Sequence, residues 1–324
     1  MSVITGLSGN EIYCMAEKGY HPGNIVIGNS VYSLGVLGGI GSNLKSALGG
    51  ELKQLTSLIE EGRRTALKRM VAEAQENGAT GVTGVNSQLL FHDGNIEFLA
   101  IGSCVHSDNK TNQHKFTTSD DGQELYAQLD VGYQPHSFAF GNVVYSLGIA
   151  RGLMGSLRTL GRGEVAEYSN MFNKTRHLAL TRIIEHAKSN KANAVLGIKT
   201  TIMPVAEGSE MLMIGTASRH PKFPDDVAED VVTSDMTNIE LWNMAKQGYY
   251  PLRLVFGSSV YSLGVIGGLK TSIKSYLRGE LTDVTRMIYE ARENALDVIN
   301  KEAQSIGADD VVGVNTYIYE LGAG

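Results

Sequence analysis

The sequence predicts an α+β chain of three tandem modules, each a small antiparallel sheet covered by one long helix, with an extra short helix at its front. Repetition is the first observation behind this. The run GNSVYSLG at residues 28–35 returns as GNVVYSLG at 141–148 and as GSSVYSLG at 257–264, at offsets of 113 and 116 residues. Register is the second. Glu51, Glu164 and Glu280 lie 23 residues past the first glycine of their copies. Arg63, Arg176 and Arg292 lie 35 past it, and Gly84, Gly197 and Gly313 lie 56 past it. Third, extended, helical and again extended patterning follows in the same order each time. A core repeated without gaps is the signature of one unit used as an array. The boundaries read as a module over 1–106, a linker over 107–119, a module over 120–218, a linker over 219–235 and a module over 236–324.

Each copy opens with a helix signal. Ser8 and Glu11, Asp121 and Glu124, and Thr237 and Glu240 have the spacing of a capping box, in which each side chain satisfies a backbone N–H that the first turn leaves open. The helix stops at Gly19, Gly132 and Gly248, because glycine enters the left-handed conformation freely. Tyr13, Tyr126 and Trp242 share one position on it and are expected to anchor it. Pro22, Pro135 and Pro251 lead into β-branched runs over 24–34, 137–147 and 252–263, the first strand. A glycine-rich apolar stretch follows, at 35–48 in the first copy. From Glu51, Glu164 and Glu280 the pattern is helical for about 26 residues. In the third copy Val284, Ile288, Ala291, Ala295, Ile299 and Ala303 form one stripe, so the helix covers one side of something. Strand two (81–91 and 194–205) and strand three (97–105 and 210–218) then close each module as a hairpin. In the third copy the glycine matched to strand three would fall at position 331, past Gly324. That sheet is expected to lack its last strand here or to take one from elsewhere, since a free edge must be paired or covered.

Composition narrows the function. The formal charge of -6 is spread over all three copies, which argues against a nucleic-acid partner. No apolar run reaches the roughly 18–20 residues that span a bilayer. The first residues lack the basic and apolar regions of a secretion signal, and Cys14 and Cys104 have no matched counterparts, so the expectation is a reducing cytoplasm. Three strands and one helix make two layers with a marginal core, so modules are expected to pack on one another and the chain to be a homo-oligomer.

These elements in this order resemble the YbjQ-like family, labelled heavy-metal-binding. The residues that carry the resemblance are a strand ending Ile27-Gly28-x-x-Val31, a glycine-rich connector, and Thr175-Arg176-x-x-Ala179 or Ala291-Arg292-x-x-Ala295 inside the long helix. The run from Gly307 to Asn315, GADDVVGVN, and a strand such as Met211 to Ala217 complete the set. The resemblance implies a dodecin-like β-α-β-β fold and rings, typically of five modules. It implies little about chemistry. The family often has a Tyr-Glu pair early in the long helix, whereas Leu55-Thr56, Tyr168-Ser169 and Val284-Thr285 stand there in this chain.

A site that belongs to the module should recur in every copy, and that test removes most candidates. None of the eight histidines recurs, and neither cysteine does, so no metal and no cofactor is expected. Ser33, Ser146 and Ser262 recur, but no His or Asp recurs to activate them, and no phosphate loop is complete. A non-enzyme is therefore expected. An enzyme with its site in one copy, around His177 and His186, is the weaker reading. Among recurring charges, Arg63, Arg176 and Arg292 can bridge to a neighbouring module or fork a carboxylate. Lys45, Arg158 and Lys274 would form a basic circle for an anionic ligand of unknown identity. Tyr32, Gly35, Gly39, Tyr145, Gly148, Gly152, Tyr261, Gly264 and Gly268 are the expected module-interface residues. The functional expectation is a self-assembling protein forming a ring, stacked cylinder or shell. The alternative is binding or storage of a metal or small anion at module interfaces.

Overall fold

The computed structural model describes residues 2–33, 50–108, 114–146, 163–205, 208–224, 231–262 and 282–318. The chain forms two compact units, one of Met1–Ser46, Leu52–Val144 and Ala179–Leu254, the other of Ala47–Glu51, Tyr145–Leu178 and Val255–Gly324. Of the expected interface and ligand-binding residues, Gly35, Gly39, Lys45, Gly148, Gly152, Arg158, Gly264, Gly268 and Lys274 lie outside the described residues.

In the first copy, helix α1 (Gly9–Glu17) starts at the Ser8–Glu11 capping box. Strand β1 (His21–Ser33) and, after the short strand β2 (Gly50–Glu51), helix α2 (Lys53–Glu76) follow. The hairpin of β3 (Gly81–His92) and β4 (Asn95–His106) turns at Asp93-Gly94. Strand three is central: β4 pairs antiparallel with β1 on one side and with β3 on the other. The second copy repeats this, with α3 (Gly122–Asp130), β6 (Gln134–Ser146), β7 (Gly163–Glu164), α4 (Ala166–Ser189), β8 (Ala194–Val205) and β9 (Gly208–Arg219). All three long helices, with α6 at Thr282–Ser305, have 24 residues.

Two recurring glycines have separate physical reasons. A Cβ at Gly28, Gly141 or Gly257 would meet the carbonyl oxygen of Ala66, Ala179 or Ala295, so here the long helix crosses the first strand too closely for any side chain. Gly84, Gly197 and Gly313 have φ of 61°, 59° and 69°, and the first two sit at the bulge where β3 and β8 shift register against their partners.

The linkers contribute strands. After Ser107, β5 (Phe116–Thr117) pairs parallel with β3, and β10 (Val232–Thr233) pairs parallel with β8, so each module's open edge carries the entry to the next. Two-residue strands in polar surroundings leave no period for a sequence pattern to show. Asp120 follows β5 and is fully buried, with its carboxylate accepting from Thr118 Oγ1 at 2.6 Å and Gln128 Nε2 at 3.0 Å. Burial raises its pKa to about 6, opposed by the Thr118 bond and assisted by Glu124.

The short helices, including α5 (Asn238–Lys246), stack in sequence order. Asp130 at the end of α3 accepts from Lys18 Nζ and from Trp242 Nε1, each at 2.7 Å, which holds its carboxyl well below the usual range. Lys18 also lies 4.3 Å from the ring centre of Tyr126. Thus Tyr126 and Trp242 anchor their helices to the helix before, whereas Tyr13 is 67% exposed.

In the second unit, the expected strand over 252–263 narrows to β11 (Tyr261–Ser262), which pairs with β7. The physical reason is the sheet order: β1 is held by a central third strand, and no such partner for 252–260 is among the described residues. Glu51 and Glu164 also sit in β2 and β7, just ahead of the helices they were expected to start.

Two outcomes check this fold. Gly141→Val should cost at least about 1–3 kcal/mol in urea unfolding, because α4 must move off β6. Asp120 has a raised folded pKa, so its contribution is fully present below 3.8 and is lost as pH rises through about 6. Asp120→Asn should therefore flatten the stability loss of the wild type over that window, measured by thermal melts at successive pH values.

Candidate functional site

What recurs in the chain is a joint between modules. In the first unit the start of α2 lies along the outer edge of β6. Leu52 N donates to Val144 O at 2.7 Å, Val144 N donates to Thr56 Oγ1 at 3.0 Å, and Asn142 Nδ2 donates to Thr56 O at 3.3 Å. Leu52, Leu55 and Ile59 are buried on this face. One turn further, Arg63 has no exposed side-chain surface, nor has its partner Glu210 on β9. Arg63 Nε and Nη2 donate to the two Glu210 oxygens at 3.2 and 2.7 Å, and Nη1 donates to Ser87 O and Oγ at 3.1 and 3.0 Å. This is the fork that fits a carboxylate, with every side of the guanidinium engaged by protein groups.

The second unit builds the same joint from the next pair of modules. Val165 N donates to Val260 O at 2.7 Å and Val260 N donates to Ser169 Oγ at 2.9 Å. Asn173 exchanges two bonds with the backbone of Ser258, at 2.8 and 3.1 Å. Glu164 Oε1 accepts from Ser169 Oγ at 2.9 Å and Oε2 from Asn294 Nδ2 at 3.1 Å. Arg176 lies 5.8 Å from the ring centre of Phe256. The matched hydroxyls Thr56 and Ser169 therefore do one job: each accepts the edge amide of the following module. The early-helix position where the resembled family carries Glu is here a hydrogen-bonding latch.

Of the expected interface residues, Tyr145 pairs with Glu51 and Tyr261 with Glu164 through short strands, and Asn294 donates to Tyr261 OH at 2.7 Å. Tyr32 instead packs edge-on against Phe98 of its own module, at 5.7 Å between ring centres. Of the expected ligand-binding arginines, Arg63 is committed to Glu210 and Arg292 is exposed. Thr56, Ser169 and Glu210 were missed as site residues. Their signal was available, since Glu210 matches Glu97 and the hydroxyl recurs at Thr285.

His186 accepts the amide of Phe140 on Nδ1 at 3.3 Å, and burial followed by nearby Arg64 lowers its pKa to about 4. It is a neutral packing group. His177 Nε2 lies 3.2 Å from Glu302. Cys104 is buried and its thiol is pushed up to about 11, so it is not a thiolate. Among the described residues, no group of three His, Cys, Asp or Glu side chains is placed to hold a metal, and no helix is long and apolar enough to cross a membrane.

The fold and joint define a class: a tandem array of small α+β modules, in which the long helices of the first two are latched to the module that follows. The chain belongs to the YbjQ family, described as "Putative heavy-metal-binding", which it matches at residues 18–107, 133–220 and 239–324. It is 31% identical to an encapsulin nanocompartment protein of Mycobacterium tuberculosis, over 67% of this chain and 86% of that protein. Single-module relatives in size include a UPF0145 protein of Vibrio parahaemolyticus, 40% identical over 24% of this chain and 74% of the relative. A UPF0145 protein of Acinetobacter baylyi is 34% identical over 32% of this chain and 94% of the relative. No solved structure matches the chain.

Removing one partner of a buried pair leaves the other charged and unsatisfied. Arg63→Ala should therefore cost about 3–5 kcal/mol, while the double change Arg63→Met with Glu210→Met should cost distinctly less. Urea unfolding of the wild type, Arg63→Met, Glu210→Met and the double variant, analysed as a double-mutant cycle, reads the coupling, with Arg63→Ala measured beside them.

Proposed function

We propose that this chain is a non-enzymatic assembly protein whose tandem modules build a shell-like homo-oligomer in the cytoplasm. The observation that carries the reading is the joint. A hydroxyl latch and a strand-edge pairing recur between successive modules, which is a contact made for propagation rather than for a single pair. Likeness to a protein named for a nanocompartment supports the same reading. Each module is taken to have the dodecin-like order, with its long helix covering one face of the sheet.

Because neighbours in sequence are also neighbours at the joint, a ring built this way takes up whole chains as runs of three modules. Fivefold symmetry then comes from five chains rather than from five modules, and a stacked cylinder with one module of each chain per ring is the less economical form. Metal or anion storage at module interfaces remains the alternative. At the first joint, however, the guanidinium proposed for an anion already holds Glu210.

Mass photometry of the purified full chain, with metal analysis of the same sample, tests this. The expected result is a discrete multi-chain particle without stoichiometric metal. A single-chain mass, or a small oligomer with about one metal per module, overturns it.

A further inference from the structure

Residues matched to several of those in the two internal joints lie at the surface on the first and third modules. On the first module, Ile27 and Val31 are 50% and 58% exposed, whereas the matched Phe140 and Val144 are 2% and 0% exposed beneath the preceding module's helix. Glu97, the counterpart of Glu210, is left to Asn29 and His92 at the surface. Val3 is 49% exposed, while the matched Phe116 and Val232, in the parallel strands β5 and β10, are 5% and 8% exposed. On the third module the complementary half lies at the surface. Thr285 and Arg292 are exposed, although the matched Thr56 and Arg63 are buried in the first joint.

We infer that these two half-surfaces bind each other between copies, so that the third module of one chain latches onto the first module of the next. This rests on the assembly reading above and names its contact. Thr285 Oγ1 accepts the Val31 amide of the following copy, as Thr56 accepts that of Val144 and Ser169 that of Val260. Arg292 takes Glu97 as Arg63 takes Glu210, and the segment around Val3 pairs with the segment carrying Val312, which is not in a strand within the single chain, as β5 pairs with β3. The occupant is a second copy of this chain because the chain already holds the same surfaces seated together twice, with the same residue types at matched positions. Charge agrees as well, since the Arg292 cation and the Glu97 carboxylate, which surface His92 and Asn29 hold within the single chain, fall on opposite halves. The contact is head to tail, so it propagates until a ring or shell closes.

The test blocks each half separately in the full chain. Val31→Arg blocks the head and Thr285→Arg blocks the tail; both positions are exposed, so folding is expected to persist and is checked by circular dichroism. Each variant alone should fall from the wild-type particle to a single-chain mass in sedimentation. Mixed together, they should form a 1:1 dimer through the one intact pair of halves. The charge pair gives a second route: Arg292→Glu should disperse the particle, and adding Glu97→Arg should restore it. If the wild type assembles but folded Val31→Arg and Arg292→Glu keep its mass, the joint is wrong and the assembly reading stands. If the wild type is itself a single chain, both fail. A folded mixture that stays monomeric also overturns the joint.

Discussion

No side chain fits at residue 28, 141 or 257, and most of the architecture depends on that constraint. The carbonyl of the long helix occupies the space where a Cβ would be, so the helix can cross the first strand only at one place and at minimal distance. Fixing the crossing fixes what the helix does beyond it. Its first turns run past the edge of their own sheet, carrying a hydroxyl, an apolar stripe and, a turn later, an arginine to the next module. The same close approach that completes a module's two layers therefore aims its connector.

The joint also explains how a marginal module becomes stable. An isolated sheet of three strands with one helix leaves an open edge and an uncovered helix face, both costly in water. Docking the helix face on the neighbour's edge removes both at once. The buried Arg63–Glu210 pair adds direction more than energy, because desolvation offsets much of its attraction while any misregister would strand a charge. Thr56 and Ser169 add register for the same reason: an edge amide is satisfied only when strand and helix are aligned to within one residue.

Much of the fold was legible in the sequence because repetition turned one ambiguous pattern into three readings of the same pattern. The capping boxes at Ser8 and Thr237, the glycine stops, the 24-residue helices and the hairpins follow from local chemistry that the sequence displays. Strands β5 and β10 did not, since two residues have no period and their pairing is set by a distant edge. Nor did the third copy's first strand, whose residues are β-branched but whose central partner is not among those described. The joint was half legible. Arg63 was identified by recurrence, but its partner lies 147 residues away on another module, and only the matched position of Glu97 hinted at it. Tyr13 shows the limit from the other side: a matched position that is half-buried at Tyr126 and Trp242 is exposed in the first copy, because the other two are held by the short helix of the copy before.

The central claim is that the third joint of this chain forms between copies. Hydrogen exchange of the wild-type protein across a concentration series tests it most directly, by comparing the peptide over 27–33 with its counterpart over 140–146. The account predicts that 140–146 is protected at every concentration and that 27–33 gains matching protection as chains associate. Fast exchange at 27–33 in a fully assembled particle would contradict it, because the outer edge of β1 would then still face water.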